Sequence, residues 1–310
     1  MNNSNNTTKQ FSSNFVHIGY SKTGTKWLQN HFFPKIFNAN YINLFKTNNF
    51  FLTNDIFLFE REKIIDEISR TTDKSKKINI FSSEFLTTPI TFGWHNGYYS
   101  FSISYKIKSV VPDATIIIFI RRQQSLIPSA YQQYVKNGGT YSFKRWLYSG
   151  EVFSFEHLIY SRLIEHYINL FGEKQVKVFL YEDFKRNNRE FMENFCQQFG
   201  MQVDWDKIDF NPTNRGLRLL SLPLLKVVNH FYKKPVGRKR FICHIPGMTT
   251  VGRGVIKYLN PMPVFGRYLN EDDFLSKKDL EYIKNFYSQH NCELTKYFDR
   301  RVLEGYGYYL

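Results

Sequence analysis

Three short stretches carry residue types that together could hold and act on an anion. The first, HIGYSKTGTKWLQ, spans residues 17 to 29 and sets Lys22, Thr23, Gly24, Thr25 and Lys26 in a turn between an apolar run and an amphipathic one. A turn of this kind presents backbone N–H groups and a helix N-terminus, which attract negative charge, while Gly24 permits close approach and Lys22 supplies a full cation. The second, IRRQQSLIPSAY, places Arg121 at the end of an apolar run and Ser129 and Tyr131 farther along. A guanidinium and a hydroxyl converging on one point hold a phosphate through charge-assisted hydrogen bonds. Pro128 suits a first helical turn, where no N–H is missed, so Ser129 is expected beside free donors. The third, IFSSEF, ends an apolar run with Glu84, a candidate general base if its strand neighbours the first.

The opening turn fits a nucleotide triphosphate loop of the GxxxxGK[ST] type poorly. Gly19 and Gly24 have that spacing, but Thr25 stands at the lysine position and Lys22 precedes the second glycine. His17 reads as a packed strand residue rather than a base. His95, in TFGWHNGYY, is the second candidate base, and Trp94, Tyr98 and Tyr99 beside it could form a sugar-stacking platform. For Glu84 the competing reading is an ion pair with a nearby lysine such as Lys22. For Arg121 it is a pair with a local carboxylate, and for Ser129 a solvated helix position.

The elements that must position these residues are legible in outline. Strands are expected at 15–18, 78–81, 115–120 and 176–180, the third (TIIIFI) being a continuous apolar run suited to a parallel strand covered on both faces. Helices are expected at 25–33, ended by Pro34, and at 61–69, 123–135 and 188–199. Apolar stripes at 217–232 and 277–289 make the last hundred residues mainly helical. Alternating strands and helices predict an α/β fold with a central, mostly parallel sheet flanked by helices, whose ligand site lies at the carboxyl ends of the strands. One domain over 14–310 is expected, its helical part roughly 210–310, after a polar, disordered tail at 1–13.

Composition narrows the partner. The chain of 310 residues carries 42 Lys and Arg against 27 Asp and Glu, a formal net charge of +15. Nucleic acid, an acidic membrane surface, a polyanionic sugar and a multiply charged nucleotide all fit that charge. The basic residues are scattered and form no recognisable nucleic-acid motif, so nucleic acid is not the expected partner. The basic segment 233–240 (KKPVGRKR) could close over a ligand, with a solvated loop as the alternative. Cys196, Cys243 and Cys292 are far apart with no CxxC, which points away from structural zinc and toward a reducing compartment. No stretch resembles a signal peptide or approaches the ~20 apolar residues of a membrane span. A soluble cytoplasmic protein is expected, with peripheral membrane association only if its acceptor is lipid-linked.

The run KTGT, Lys22 to Thr25, resembles the 5′-phosphosulfate-binding loop of sulfotransferases that use 3′-phosphoadenosine 5′-phosphosulfate (PAPS). Arg121, with Ser129 eight residues on and Tyr131 two beyond, is similar to that family's 3′-phosphate signature. YEDF at 181–184 and FYSQHNCELTKYF near the C-terminus are similar to further segments of the family, the latter to the closing helix of bacterial members. The resemblance spans most of the chain, though 34–77 matches nothing. It departs at Lys26, where a second threonine is common, and at Gln123, where many members have proline. The resemblance implies a P-loop-like sulfotransferase fold of bacterial carbohydrate-sulfotransferase type. It implies PAPS as co-substrate without a required metal, and a glycan or other hydroxyl-bearing acceptor. In that reading Lys22, Thr23, Gly24, Thr25, Lys26, Trp27, Arg121 and Ser129 bind the nucleotide, and Lys22 and Glu84 are catalytic. A P-loop kinase, with Glu84 near magnesium, and a non-enzymatic polyanion-binding protein are the competing readings.

Overall fold

The structure is a computed structural model that describes residues 13–52, 56–87, 99–211, 216–232 and 240–310. The loop with His95, Trp94 and Tyr98, and all of the basic segment but Arg240, lie outside the described residues, as does the tail at 1–12. Five strands form the central sheet: β1 (Ser13–His17), β2 (Ala39–Ile42), β3 (Ile78–Ser82), β4 (Thr115–Ile120) and β5 (Val176–Leu180). All neighbours are parallel, in the order β2-β3-β1-β4-β5. The α/β fold with a parallel sheet flanked by helices is therefore as the sequence indicates.

The sheet is buried on both faces. In β4, Ile116, Ile118 and Ile120 enter one apolar cluster and Ile117 and Phe119 the other, none with any exposed surface. Period-two alternation delivers these side chains to opposite faces, and burying each contributes ~2 kcal/mol. β1 divides in the same way, Val16 to one side and Phe15 to the other.

The helices in chain order begin with α1 (Thr25–Trp27), α2 (Leu44–Phe51), α3 (Arg61–Thr71) and α4 (Ser100–Val110). Next come α5 (Gln123–Lys136), α6 (Phe143–Tyr148), α7 (Tyr160–Phe171), α8 (Tyr181–Arg186) and α9 (Asn188–Phe199). The C-terminal part adds α10 (Ser221–Asn229), α11 (Met248–Gly254), α12 (Lys277–Cys292) and α13 (Arg300–Gly305). Side chains of α4, α5, α7 and α12 fill the first cluster, and those of α8 and α9 with Trp27 fill the second. No helix among the described residues is long and apolar enough to cross a membrane.

Three expectations change. Pro34 does not end the first helix: α1 continues as a wider turn over Leu28–Phe32 and a tight 3₁₀ turn over Phe33–Lys35, with Pro34 inside that last turn. Proline is tolerated there because the early N–H groups of a helical turn have no intrahelical acceptor. The strand β2 and the helix α2 lie in the stretch that sequence left unassigned. Pro128 does not open its helix, since α5 starts five residues earlier at Gln123, so Ser129 sits in the body of α5 rather than at its N-terminus.

Candidate functional site

The strand order brings the three stretches together. β1 lies between β3 and β4, with His17 in register with Ser82 on one side and Ile117 on the other. The segments leaving the three strands, which carry Lys22, Glu84 and Arg121, therefore emerge at one edge of the sheet.

The turn after β1 is held in an unusual conformation. Lys22 has φ 72°, the only non-glycine with positive φ among the described residues, and Gly24 has φ 86°. A left-handed lysine costs ~1–2 kcal/mol, and the surroundings enforce it. Thr23, fully buried, donates its hydroxyl to the Tyr20 carbonyl at 2.6 Å, and Arg121 Nη1 donates to the Lys22 carbonyl at 3.0 Å. The first intrahelical bonds beyond the turn run from the Trp27 and Leu28 N–H groups to the Gly24 carbonyl at 2.9 and 3.1 Å. The N–H groups of Gly24, Thr25 and Lys26 thus precede the helical ladder. The Thr25 hydroxyl is buried without a hydrogen-bond partner among the described residues, an orphan that an anion's oxygen would satisfy.

Around this turn the charge is one-sided. Burial, then the neighbouring Lys136, Arg121 and Lys26, bring the Lys22 ammonium down to about 7, with Glu84 opposing the shift. Burial and Lys26 likewise bring Lys136 down to about 8. Burial is the larger cause in both cases and the neighbouring cations add to it, so an anion placed here would stabilise the charged lysines. Lys22 Nζ donates to Gln133 Oε1 at 3.5 Å, and Gln133 fixes its own amide by donating to Asn137 at 3.0 Å. The expected alternative of an ion pair between Lys22 and Glu84 does not occur.

Arg121 leaves β4 and crosses to the turn. Its Nε donates to Ser125 Oγ at 2.8 Å, and its guanidinium lies 4.9 Å above the Tyr181 ring. Two of its five donors are engaged, which leaves the rest for a ligand. The YEDF stretch props this corner from β5. Glu182 accepts from the Arg122 N–H at 3.0 Å and from Tyr308 at 3.2 Å, and Tyr306 donates to Asp183. Ser125, Ser129 and Gln133 are spaced four apart on α5 and so share a stripe. Ser125 touches Arg121 and Gln133 touches Lys22, so the half-buried Ser129 lies between the two cations along that stripe. Its hydroxyl has no hydrogen-bond partner among the described residues.

Glu84 opens a 3₁₀ turn directly after β3 and is 9% exposed. Gln29 holds it at 3.1 Å while also donating to the Ser82 carbonyl and hydroxyl, each at 3.2 Å. His17 completes this buried line through Ser82 Oγ at 2.8 Å. Burial pushes His17 down to about 3, so it is a neutral packing residue at neutral pH, as read from the sequence. Trp27 stands apart from the turn. Its indole N–H donates to the Asp209 carbonyl at 2.8 Å and its ring stacks against Phe32 and Phe210 in the second cluster. Lys26 is exposed at the lip.

Sequence reasoning missed Gln29, Ser125, Gln133, Lys136 and Tyr181. Helical spacing from Ser129 could have found Ser125 and Gln133, and Tyr181 opens the YEDF stretch already singled out, while Gln29 has no signal short of the strand order.

No family model matches the sequence, and no curated protein matches it. Among solved structures, the chain is similar to a sulfotransferase from Alicyclobacillus acidocaldarius, at 16% identity and a TM-score of 0.47, over 82% of this chain and 99% of that one. It is also similar to a mouse sulfotransferase complexed with PAP, at 14% identity and a TM-score of 0.44, over 96% of this chain and 91% of that one.

Proposed function

We propose that this protein is a sulfotransferase that moves a sulfuryl group from PAPS to a hydroxyl or amine of an acceptor, with a carbohydrate as the acceptor class. One observation carries the reading: Arg121, 99 residues beyond Lys22, donates to the Lys22 carbonyl, in a turn whose buried Thr25 hydroxyl has no partner among the described residues and whose neighbouring charges are mostly cations. Two anionic groups on one nucleotide call for two cationic holders.

The roles follow from position. Lys22 and the N–H groups at the head of α1 hold the 5′-phosphosulfate, and Lys22 balances the charge that grows on the leaving phosphate oxygen as the S–O bond breaks. The depressed state of the free lysine fits this task, because the incoming anions restore its full charge. Arg121, with Ser129 beside it, takes the 3′-phosphate through charge-assisted hydrogen bonds. Glu84 accepts the acceptor's proton as the new O–S or N–S bond forms. Gln29 fixes one oxygen of Glu84, leaving the other to face the acceptor. Transfer of this sort asks for alignment and charge stabilisation rather than covalent work by the protein.

Calorimetric titration with adenosine 3′,5′-bisphosphate, in parallel with ATP and without magnesium, tests the reading. We expect the bisphosphate to bind and ATP to bind far more weakly. Arg121→Ala should weaken the bisphosphate ~10- to 100-fold, the worth of hydrogen bonds to a charged group. Equal affinity for the two nucleotides would end the proposal.

A further inference from the structure

The chain's cations are scattered but its acids are not. Residues 210–270 hold eleven Lys and Arg and no Asp or Glu, against a net charge of +15 for the whole chain. Of the described cations in this stretch, Arg267 pairs with Asp273, which lies outside it, at 2.5 Å. Arg218 is committed to backbone carbonyls of Asn260, Pro261 and Gly266. Lys226, Arg240, Arg253 and Lys257 form no ion pair among the described residues.

The same stretch exposes large apolar side chains. Leu220 is 53% exposed, Leu224 37% and Val227 58%. Their spacing of four and three puts them on one stripe of α10, about 100° round the helix from the buried stripe of Ser221, Leu225 and Val228. The stripe continues at both ends. The Leu220 N–H donates to the Phe265 carbonyl at 3.1 Å, which brings up Val264, 76% exposed. The Ile242 N–H donates to the His230 carbonyl at 3.0 Å, which brings up Ile242 itself, 66% exposed. Exposed apolar side chains in such number, in a stretch with no acid and four cations that form no ion pair among the described residues, mark an interaction surface.

We infer that residues 216–232 and 240–264 dock on the surface of an anionic lipid bilayer, the apolar stripe of α10 with Val264 and Ile242 entering the acyl boundary and Arg240, Arg253 and Lys257 meeting the headgroups. The chemistry selects this partner. A soluble polyanion would use the cations and leave the apolar residues in water, whereas an apolar protein groove would leave the cations of the stretch without a partner. Insertion is in the plane, since no described helix can span. The surface is mounted on the site: Asn229 of α10 donates to the carbonyls of Val135 and Gly139 at 2.8 Å each, at the C-terminal end of α5, whose other face carries Ser129 and Gln133. Docking therefore holds the candidate site close to the membrane. The inference does not rest on the sulfotransferase reading.

The test is co-sedimentation of the full chain with vesicles of phosphatidylcholine and phosphatidylglycerol at seven to three, beside vesicles of phosphatidylcholine alone. Binding is expected to the first and not the second. Arg253→Gln with Lys257→Gln should weaken it about thirty-fold, at about fivefold per cation. Val227→Ser with Ile242→Ser, both on the surface, should weaken it at least ~10-fold through lost apolar contact, with an unchanged thermal midpoint. Failure to bind the anionic vesicles would overturn the inference. So would binding that the serine changes leave intact, which marks a site for soluble polyanions. A chain dimer on size-exclusion chromatography, dispersed by the same serine changes, without vesicle binding, would assign the surface to a second copy and equally overturn it.

Discussion

Lys22 concentrates the site's physics in one side chain. Its ammonium sits near 7 because burial and three neighbouring cations oppose its charge. A cation whose folded value lies below its unfolded one costs stability when protonated. Between about 7 and the ordinary lysine value of 10.5, the unfolded chain binds the extra proton, so stability of the free protein should rise with pH across that window. Denaturation curves at pH 7 and pH 9 should show this rise, and Lys22→Met should reduce it, leaving the part that the likewise depressed Lys136 contributes. Anion binding reverses the cost. Titrating adenosine 3′,5′-bisphosphate at pH 8 in two buffers of different ionisation enthalpy should reveal proton uptake by the wild type, and much less by Lys22→Met. The same variant should hold the bisphosphate ~10- to 100-fold more weakly, from the loss of a charged hydrogen-bond donor.

At the scale of elements, the turn between β1 and α1 depends on Gly24. Its φ of 86° falls where side chains are disfavoured, and an added Cβ would lie 3.2 Å from the Phe184 ring. Gly24→Ala should cost ~1–3 kcal/mol in chemical denaturation, from backbone strain together with crowding. It should weaken bisphosphate binding as well, because the turn's N–H groups lose their alignment. The element scale also shows where sequence reading fails. β4, β5 and α9 were legible to the residue, since a β-branched run and a strongly amphipathic stretch each have a single solution. β2, with the sequence ANYI, was not, because a four-residue edge strand with a polar residue at its second position has neither an apolar run nor clear alternation. The helix after β1 was cut short at Pro34 because proline's effect depends on which turn it occupies.

At the scale of the molecule, Gln123 explains one departure from the family pattern. It is the first residue of α5, a place where proline fits, yet its fully buried amide exchanges hydrogen bonds with Asn291 of α12 at 2.8 and 3.2 Å. It also donates to the Leu158 carbonyl at 3.3 Å. This pair ties the helix carrying Ser129 to α12. Gln123→Ala and Asn291→Ala should each cost ~1–3 kcal/mol, because each strands a buried partner. Combined, they should cost clearly less than the sum, and a double-mutant cycle on thermal unfolding measures the difference. Additive costs would show that the two amides do not support one another.

The sequence by itself determined the chemistry available and most of the local elements: the cations, the glycine turn, the carboxylate and the apolar runs. These are properties of residue types and of spacings within a dozen positions, where backbone geometry and hydrophobic periodicity act directly. Only the tertiary structure decided which of them meet. That β1 lies between β3 and β4 brings Lys22, Glu84 and Arg121 to one edge, and nothing local encodes it, because parallel strands 60 to 100 residues apart pair through the burial of both sheet faces together. The same cooperative packing drew Trp27 into the core and left the apolar stripe of α10 uncovered.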